Sequence, residues 1–144
     1  MKYSPQGKRG YGISRAQGYG SNFKEYAETW NSSSILIIMI ETIDAVSNIE
    51  ELVSNDAVDG VFIGEYDLSG SLNIPGEITN PKVQDAVNII FKCCDKYQKS
   101  CGILLGEVND VTLKSAQQKA NFIVLSTDIL ILSQWSKKVR SIIY

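Results

Sequence analysis

Four short apolar runs, at residues 35–40, 61–63, 102–105 and 122–125, punctuate the chain, and apolar positions at helical spacing follow each. Brief aliphatic runs without polar alternation are expected of strands covered on both faces. After the first run, Thr42 is placed to cap a helix carrying Ile43, Val46, Ile49, Leu52 and Val53 on one face. The second run leads into a stretch with Gly70, Pro75 and Gly76 that reads as a loop. Asn80 followed by Pro81 then predicts a helix start, a capping side chain with proline at the first helical position. Its buried stripe is Val83, Ala86, Val87, Ile90, Phe91 and Cys94. Asp110 is the expected cap of a third helix with Val111, Leu113, Ala116 and Ala120, and residues 129–143 form a fourth. Ahead of the first run, Phe23, Tyr26, Ala27 and Trp30 predict a short helix over 22–30. Residues 1–20, with Gly7, Gly10, Gly12, Gly18 and Gly20, read as a long loop folded over a neighbouring site.

Four strand-then-helix units in succession predict a parallel α/β sheet with right-handed crossovers. No Gly-x-Gly-x-x-Gly follows the first strand, which counts against dinucleotide binding. A barrel segment fits better. A complete (β/α)8 barrel takes about 250 residues, and these 144 residues supply about half of one. The expected organisation is a single domain over 1–144. Residues 1–34 form its glycine-rich loop and short helix, and 35–144 its four βα units.

Two carboxylates stand at equivalent places in this scheme. Glu41 and Asp67 each follow an apolar run, and ligands of parallel sheets gather at the C-terminal strand ends. Both acids are therefore expected to face one site from neighbouring strands. An oxygen-only pair suits a hard cation such as Mg²⁺ or Mn²⁺, with positions left for water and a chelating substrate. Such an ion polarises a carbonyl and stabilises enolate charge. The plainer alternatives are an Asx-type turn between Asp67 and the Ser69 region, and charge compensation of a helix N-terminus by Glu41.

Composition narrows the chemistry. Hydrophobic residues make up 44%, charged residues 21%, and the net charge is −2, so no overall electrostatic pull toward nucleic acid is expected. Basic residues near the two ends read as solvated faces, although Lys8 and Arg9 could approach an anionic substrate if their loop folds inward. Cys93, Cys94 and Cys101 lack C-x-x-C spacing and read as reduced core residues of a cytoplasmic protein. There is no histidine, which removes the commonest general base and most zinc and haem sites. No apolar run is long enough to cross a bilayer, and the start of the sequence has no signal-peptide pattern.

Several motifs carry a family likeness together: GKRGYG at 7–12, SRA at 14–16, MIET at 39–42, VDGVFIG at 58–64, DLS at 67–69 and GIL at 102–104. In order and spacing they resemble the C-terminal half of the HpcH/HpaI aldolases, class II metal-dependent enzymes that reversibly join pyruvate to an aldehyde. The resemblance implies the last four strand–helix units of a TIM barrel of the phosphoenolpyruvate/pyruvate type. It implies Glu41 and Asp67 as protein ligands of Mg²⁺ or Mn²⁺, with Co²⁺ a further option. Gly64 and Tyr66 would sit where backbone amides approach the pyruvate carboxylate, and Leu105 near the aldehyde pocket. The chain departs from the family pattern at Met39, where glutamine is usual, and at Glu65, where proline is usual. The catalytic histidine and the enolate-stabilising arginine belong to the family's N-terminal half. The expectation is therefore a carbon–carbon lyase half, working as a homo-oligomer or with a complementary N-terminal half chain on pyruvate or another 2-keto acid plus an aldehyde. The alternative is a non-catalytic remnant or interaction module that binds metal or a partner chain.

Overall fold

The computed structural model describes every residue from Met1 to Tyr144. It divides into two compact units, Met1–Leu36 and Ile37–Tyr144.

The first unit is held by aromatic packing. The helix α1 (Phe23–Ser33) presents Tyr26 and Trp30 to Tyr3, which is almost fully buried and stacks on Tyr11 with ring centroids 4.3 Å apart. The Arg9 guanidinium lies 4.1 Å from the Trp30 ring centre and 4.7 Å from that of Tyr3, within cation–π range. Arg9 is thus a packing residue of this cluster and not a solvated charge. Asn31 clamps the Tyr3 backbone reciprocally, accepting from its N–H at 2.7 Å and donating to its carbonyl at 3.0 Å. The predicted featureless loop over 1–20 contains a Tyr3–Arg9 β-bridge and a 3₁₀ segment at Arg15–Gly20. Aromatic burial and the Asn31 clamp order it despite its glycines.

In the second unit the strands are β1 (Ile37–Ile40), β2 (Gly60–Ile63), β3 (Ser100–Leu105) and β4 (Phe122–Leu125). They form one sheet in the order β1-β2-β3-β4, with every pair parallel. Between β1 and β2 lie two short helices, α2 (Ile43–Ser47) and α3 (Ile49–Val53), where the sequence predicts one. The break falls at Asn48, whose side chain donates to the Asp44 carbonyl at 2.8 Å. Thr42 caps α2 as expected, accepting from Ala45 N–H. The stretch read as a loop after β2 begins with a further helix, α4 (Glu65–Ser71). Then come α5 (Pro81–Lys96), capped by Asn80, α6 (Asp110–Gln117) and α7 (Asp128–Ile143). The cap of α6 is Asn109 and not Asp110. Its Oδ1 accepts from Val111 and Thr112 N–H, and Thr112 Oγ1 returns a bond from the Asn109 amide.

The core lies on one face of the sheet. Ile40, Val61, Ile63 and Cys101 pack against Val46, Ile49 and Val53 of α2 and α3, Leu68 of α4, and the α5 stripe predicted from its spacing. Cys94 and Cys101 are both buried in this core, and a hydrogen bond between them, with burial, holds the Cys101 thiol far above its usual range. They are packing residues. No helix is long and apolar enough to cross a membrane.

Candidate active site

Register places the two acids. Ile40 pairs with Ile63 at the ends of β1 and β2, so Glu41 and Gly64 are the next residues on the same rim. The Gly64 N–H donates back to the Ile40 carbonyl at 3.0 Å, tying the two strand ends together. A side chain at Gly64 could not be accommodated: its Cβ would stand 2.9 Å from the Glu41 Cβ and 3.4 Å from Glu41 Oε2. Glycine here is what lets the Glu41 side chain lie across the end of β2.

Asp67 reaches the same rim from the first turn of α4, which starts directly after Gly64. That helix has a poor intrinsic sequence, EYDLSGS, and is fixed by its surroundings. Leu68 is fully buried, and Ser71 Oγ accepts from the first amide of α2, that of Ile43, at 2.9 Å. Ser69 is also buried; its hydroxyl donates to the Tyr66 carbonyl at 2.6 Å and accepts from Gly76 N–H at 2.8 Å. The Asp67 carboxylate accepts no backbone N–H, so the Asx-type turn with the Ser69 region does not form. Neither the Glu41 nor the Asp67 side chain makes a hydrogen bond or ion pair, and Asp67 is exposed while Glu41 is half-buried.

A cavity of about 740 Å³ opens at this rim, and its walls include Gly64, Glu65, Tyr66, Asp67 and Leu105. Of the predicted site residues, Glu41 alone stands outside this lining, behind Gly64. The Gly64 amide is engaged by Ile40. The free donors here are the first amides of α4, since Leu68 N–H is the first to bond back, to the Gly64 carbonyl. Burial pushes the Glu65 carboxyl above its usual range, partly offset by a hydrogen bond from Gln84 and the charge of Lys119.

Sequence reasoning missed the far wall. Leu130 and Gln134 of α7, Thr112 of α6 and Ile78 line the cavity too. Gln134 Nε2 donates to the Gly106 carbonyl at 2.9 Å, and Ser126 N–H to the Leu105 carbonyl at 2.8 Å, which anchors β4 and α7 to the end of β3. No signal in the sequence marks this brace, which depends on topology bringing the end of β4 to the end of β3.

No group of three or more His, Cys, Asp or Glu side chains converges anywhere in the chain. The donor set at the rim is two uncommitted carboxylates. Such a pair fits a hard divalent cation that completes its shell with water and a chelating ligand, and does not fit a closed structural site.

An open parallel α/β sheet with helices between its strands and a cavity at its C-terminal rim corresponds to about half of a (β/α)8 barrel. The model of the HpcH/HpaI aldolase/citrate lyase family matches residues 1–132, and the chain belongs to that family. It is 40% identical over 130 residues to a hydroxypyruvate/pyruvate aldolase of Sagittula stellata, covering 89% of this chain and 50% of that protein. It is 33% identical over 133 residues to a 4-hydroxy-2-oxovalerate aldolase of Rhodococcus jostii, covering 92% and 51%. The crystal structure of an HpcH/HpaI aldolase/citrate lyase family protein from Burkholderia cenocepacia superposes with a TM-score of 0.84 at 25% identity, over 97% of this chain and 54% of that one. The chain thus spans about half the length of the curated relatives it matches.

Proposed function

We propose that this chain contributes the metal-binding half of a pyruvate-type aldolase, a carbon–carbon lyase acting on pyruvate or another 2-keto acid and an aldehyde. The observation that carries this reading is the Ile40–Ile63 register, which sets the unpaired Glu41 and Asp67 on one rim beside the cavity. These two carboxylates would hold Mg²⁺ or Mn²⁺, with Co²⁺ the further option. When bound, such an ion stabilises the negative charge of a pyruvate enolate.

The chain's own residues then divide the work. Gly64 leaves room for Glu41, and its amide keeps β1 and β2 in step. The first amides of α4, including that of Tyr66, would receive the substrate carboxylate, as the family resemblance implies. Leu105, with Leu130, offers an apolar wall to the aldehyde. No histidine occurs in these residues; by the resemblance to the HpcH/HpaI aldolases, the histidine that moves the proton would come from the family's N-terminal half. The three cysteines are unpaired, which supports a reducing, cytoplasmic setting.

The test is complementation. The chain is mixed with the separately produced first half of the Sagittula stellata aldolase and Mn²⁺, and aldol cleavage is followed by pyruvate release. Activity that appears only in the mixture and is lost with Asp67→Asn supports the reading. Absence of cleavage while the two halves demonstrably associate favours the second reading, a non-catalytic module, for which the missing histidine speaks.

A further inference from the structure

The wall of the rim cavity carries charge of one sign. Beside Asp67, the charged side chains in that wall are the carboxylates of Glu65 and Glu107. Glu65 opens α4 directly after Gly64, and Glu107 follows the end of β3 by two residues. Both thus stand at the same C-terminal rim, where substrates of parallel sheets gather. Glu65 is held in the wall by α5. Gln84 donates through Nε2 to the Ile78 carbonyl at 2.8 Å and also bonds to the Glu65 carboxyl, so one amide ties two pieces of the wall. Lys119 adds an attractive charge toward Glu65 but does not itself line the cavity. Glu107 is exposed; its Oε1 accepts from Asn109 Nδ2 at 3.3 Å, and its second oxygen stays open.

The neutral polar groups of the wall already donate to the chain itself. Thr112 Oγ1 spends its hydrogen inside the α6 cap, on the Glu107 carbonyl at 3.0 Å or the Asn109 carbonyl at 3.1 Å. Gln134 Nε2 donates to the Gly106 carbonyl at 2.9 Å. Around Leu105 the wall is otherwise apolar, with Leu104, Leu130 and Ile78. A group entering beside Leu105 therefore meets carboxylate oxygens and hydrocarbon. A hydroxyl suits such a wall, because it donates to a carboxylate in a charge-assisted bond. A second carboxylate does not: it gives up water and meets like charge where it needs donors.

We infer that Glu65 and Glu107 make this chain's part of the acceptor pocket selective for an uncharged, hydroxylated aldehyde over one that carries a carboxylate. The inference rests on the aldolase reading above and deepens it by naming the class of aldehyde. Repulsion of the wrong partner is a general source of specificity. Proline is usual at the position of Glu65 in the family pattern, so this charge is the chain's own feature and not part of the shared motif.

The test compares two acceptors that differ in one terminal group: glyceraldehyde, which ends in a CH2OH, and tartronate semialdehyde, which ends in a carboxylate. Each is condensed with pyruvate by the chain mixed with the first half of the Sagittula stellata aldolase and Mn²⁺. The pH is about 8, where carboxylates are ionised. Specificity is read as the ratio of the two kcat/KM values. That ratio should favour glyceraldehyde roughly tenfold or more, the size of one partly screened like-charge contact. Glu65→Gln and Glu107→Gln should each lower it roughly threefold, and together bring it close to parity by raising kcat/KM for tartronate semialdehyde. Circular dichroism checks that both variants keep the fold, and a merely structural loss would lower both rates and leave the ratio in place. An active mixture that treats the two aldehydes alike or prefers tartronate semialdehyde overturns this inference alone and leaves the aldolase reading standing. So does a ratio that the double variant does not move. A mixture that condenses neither aldehyde overturns both.

Discussion

The two faces of the one sheet are built from the same residue types and have opposite fates. On the helical side, Ile40, Val61 and Ile63 are buried under α2 to α5, and Ile90 of α5 is fully buried against them. On the other side, Ile37, Met39 and Val124 stand open. The difference does not lie in hydrophobicity. It lies in what the connecting segments can cover: right-handed crossovers place every helix on the outer face of a parallel sheet. The inner face of a barrel is covered only by the barrel's other strands. These four strands therefore have one face packed under helices and one face left open.

The largest effect should come from breaching the covered face. Ile90→Ala leaves a cavity at the centre of the core and is expected to cost about 2–5 kcal/mol in urea unfolding. Met39→Ala, at a side chain 52% exposed, should change stability by less than about 0.5 kcal/mol. Comparable losses in both would show that the inner face is covered within the single chain, erasing the contrast.

Caps sharpen it next. Asn80→Ala removes the N-cap of α5, a helix packed against the core, and should lower global stability by about 1 kcal/mol. The equivalent Thr127→Ala at α7, which has no buried residue, should leave the urea midpoint in place while speeding amide exchange along that helix. A midpoint shift of equal size in both variants would mean that α7 belongs to the cooperative core.

The smallest effect is electrostatic. Glu50 accepts hydrogen bonds from Lys96 Nζ and from Tyr97 Oη, and these hold its carboxyl below the usual range. A depressed carboxylate contributes stability above its unfolded pKa and loses it as pH falls through the folded value. The wild type should therefore be slightly more stable than Glu50→Gln near neutrality, with the gap closing on acidification. Both groups are well exposed, so the gap should be small and should shrink with salt. A gap that widens in acid would reverse the sign of this linkage.

Much of the covered half was legible in the chain. The α5 stripe from Val83 to Cys94 was predicted residue by residue, because a long helix buried on one side writes its 3.6-residue period plainly. Thr42 and Asn80 announced their caps. The helix α4 was not legible: its sequence carries glycine and two serines, and its order comes from Leu68, Ser69 and Ser71 meeting other elements. Asn109 was displaced by its neighbour Asp110, since both are good caps and only backbone geometry chooses. On the rim, Glu41 and Asp67 could be read because each follows its strand closely. Leu130 and Gln134 could not, because they reach the cavity from a helix that only topology brings there. The inner face was misleading in its own way, since an apolar strand looks the same whether or not anything covers it.

The central claim is that Glu41 and Asp67 together form a divalent-metal site, and Mn²⁺ titration followed by electron paramagnetic resonance tests it most directly. Wild-type chain should quench the free Mn²⁺ signal saturably, more tightly with pyruvate present, and Glu41→Gln with Asp67→Asn should abolish this while the circular dichroism spectrum is retained. Equal quenching by the folded double variant, or none by the wild type with or without pyruvate, would contradict the claim.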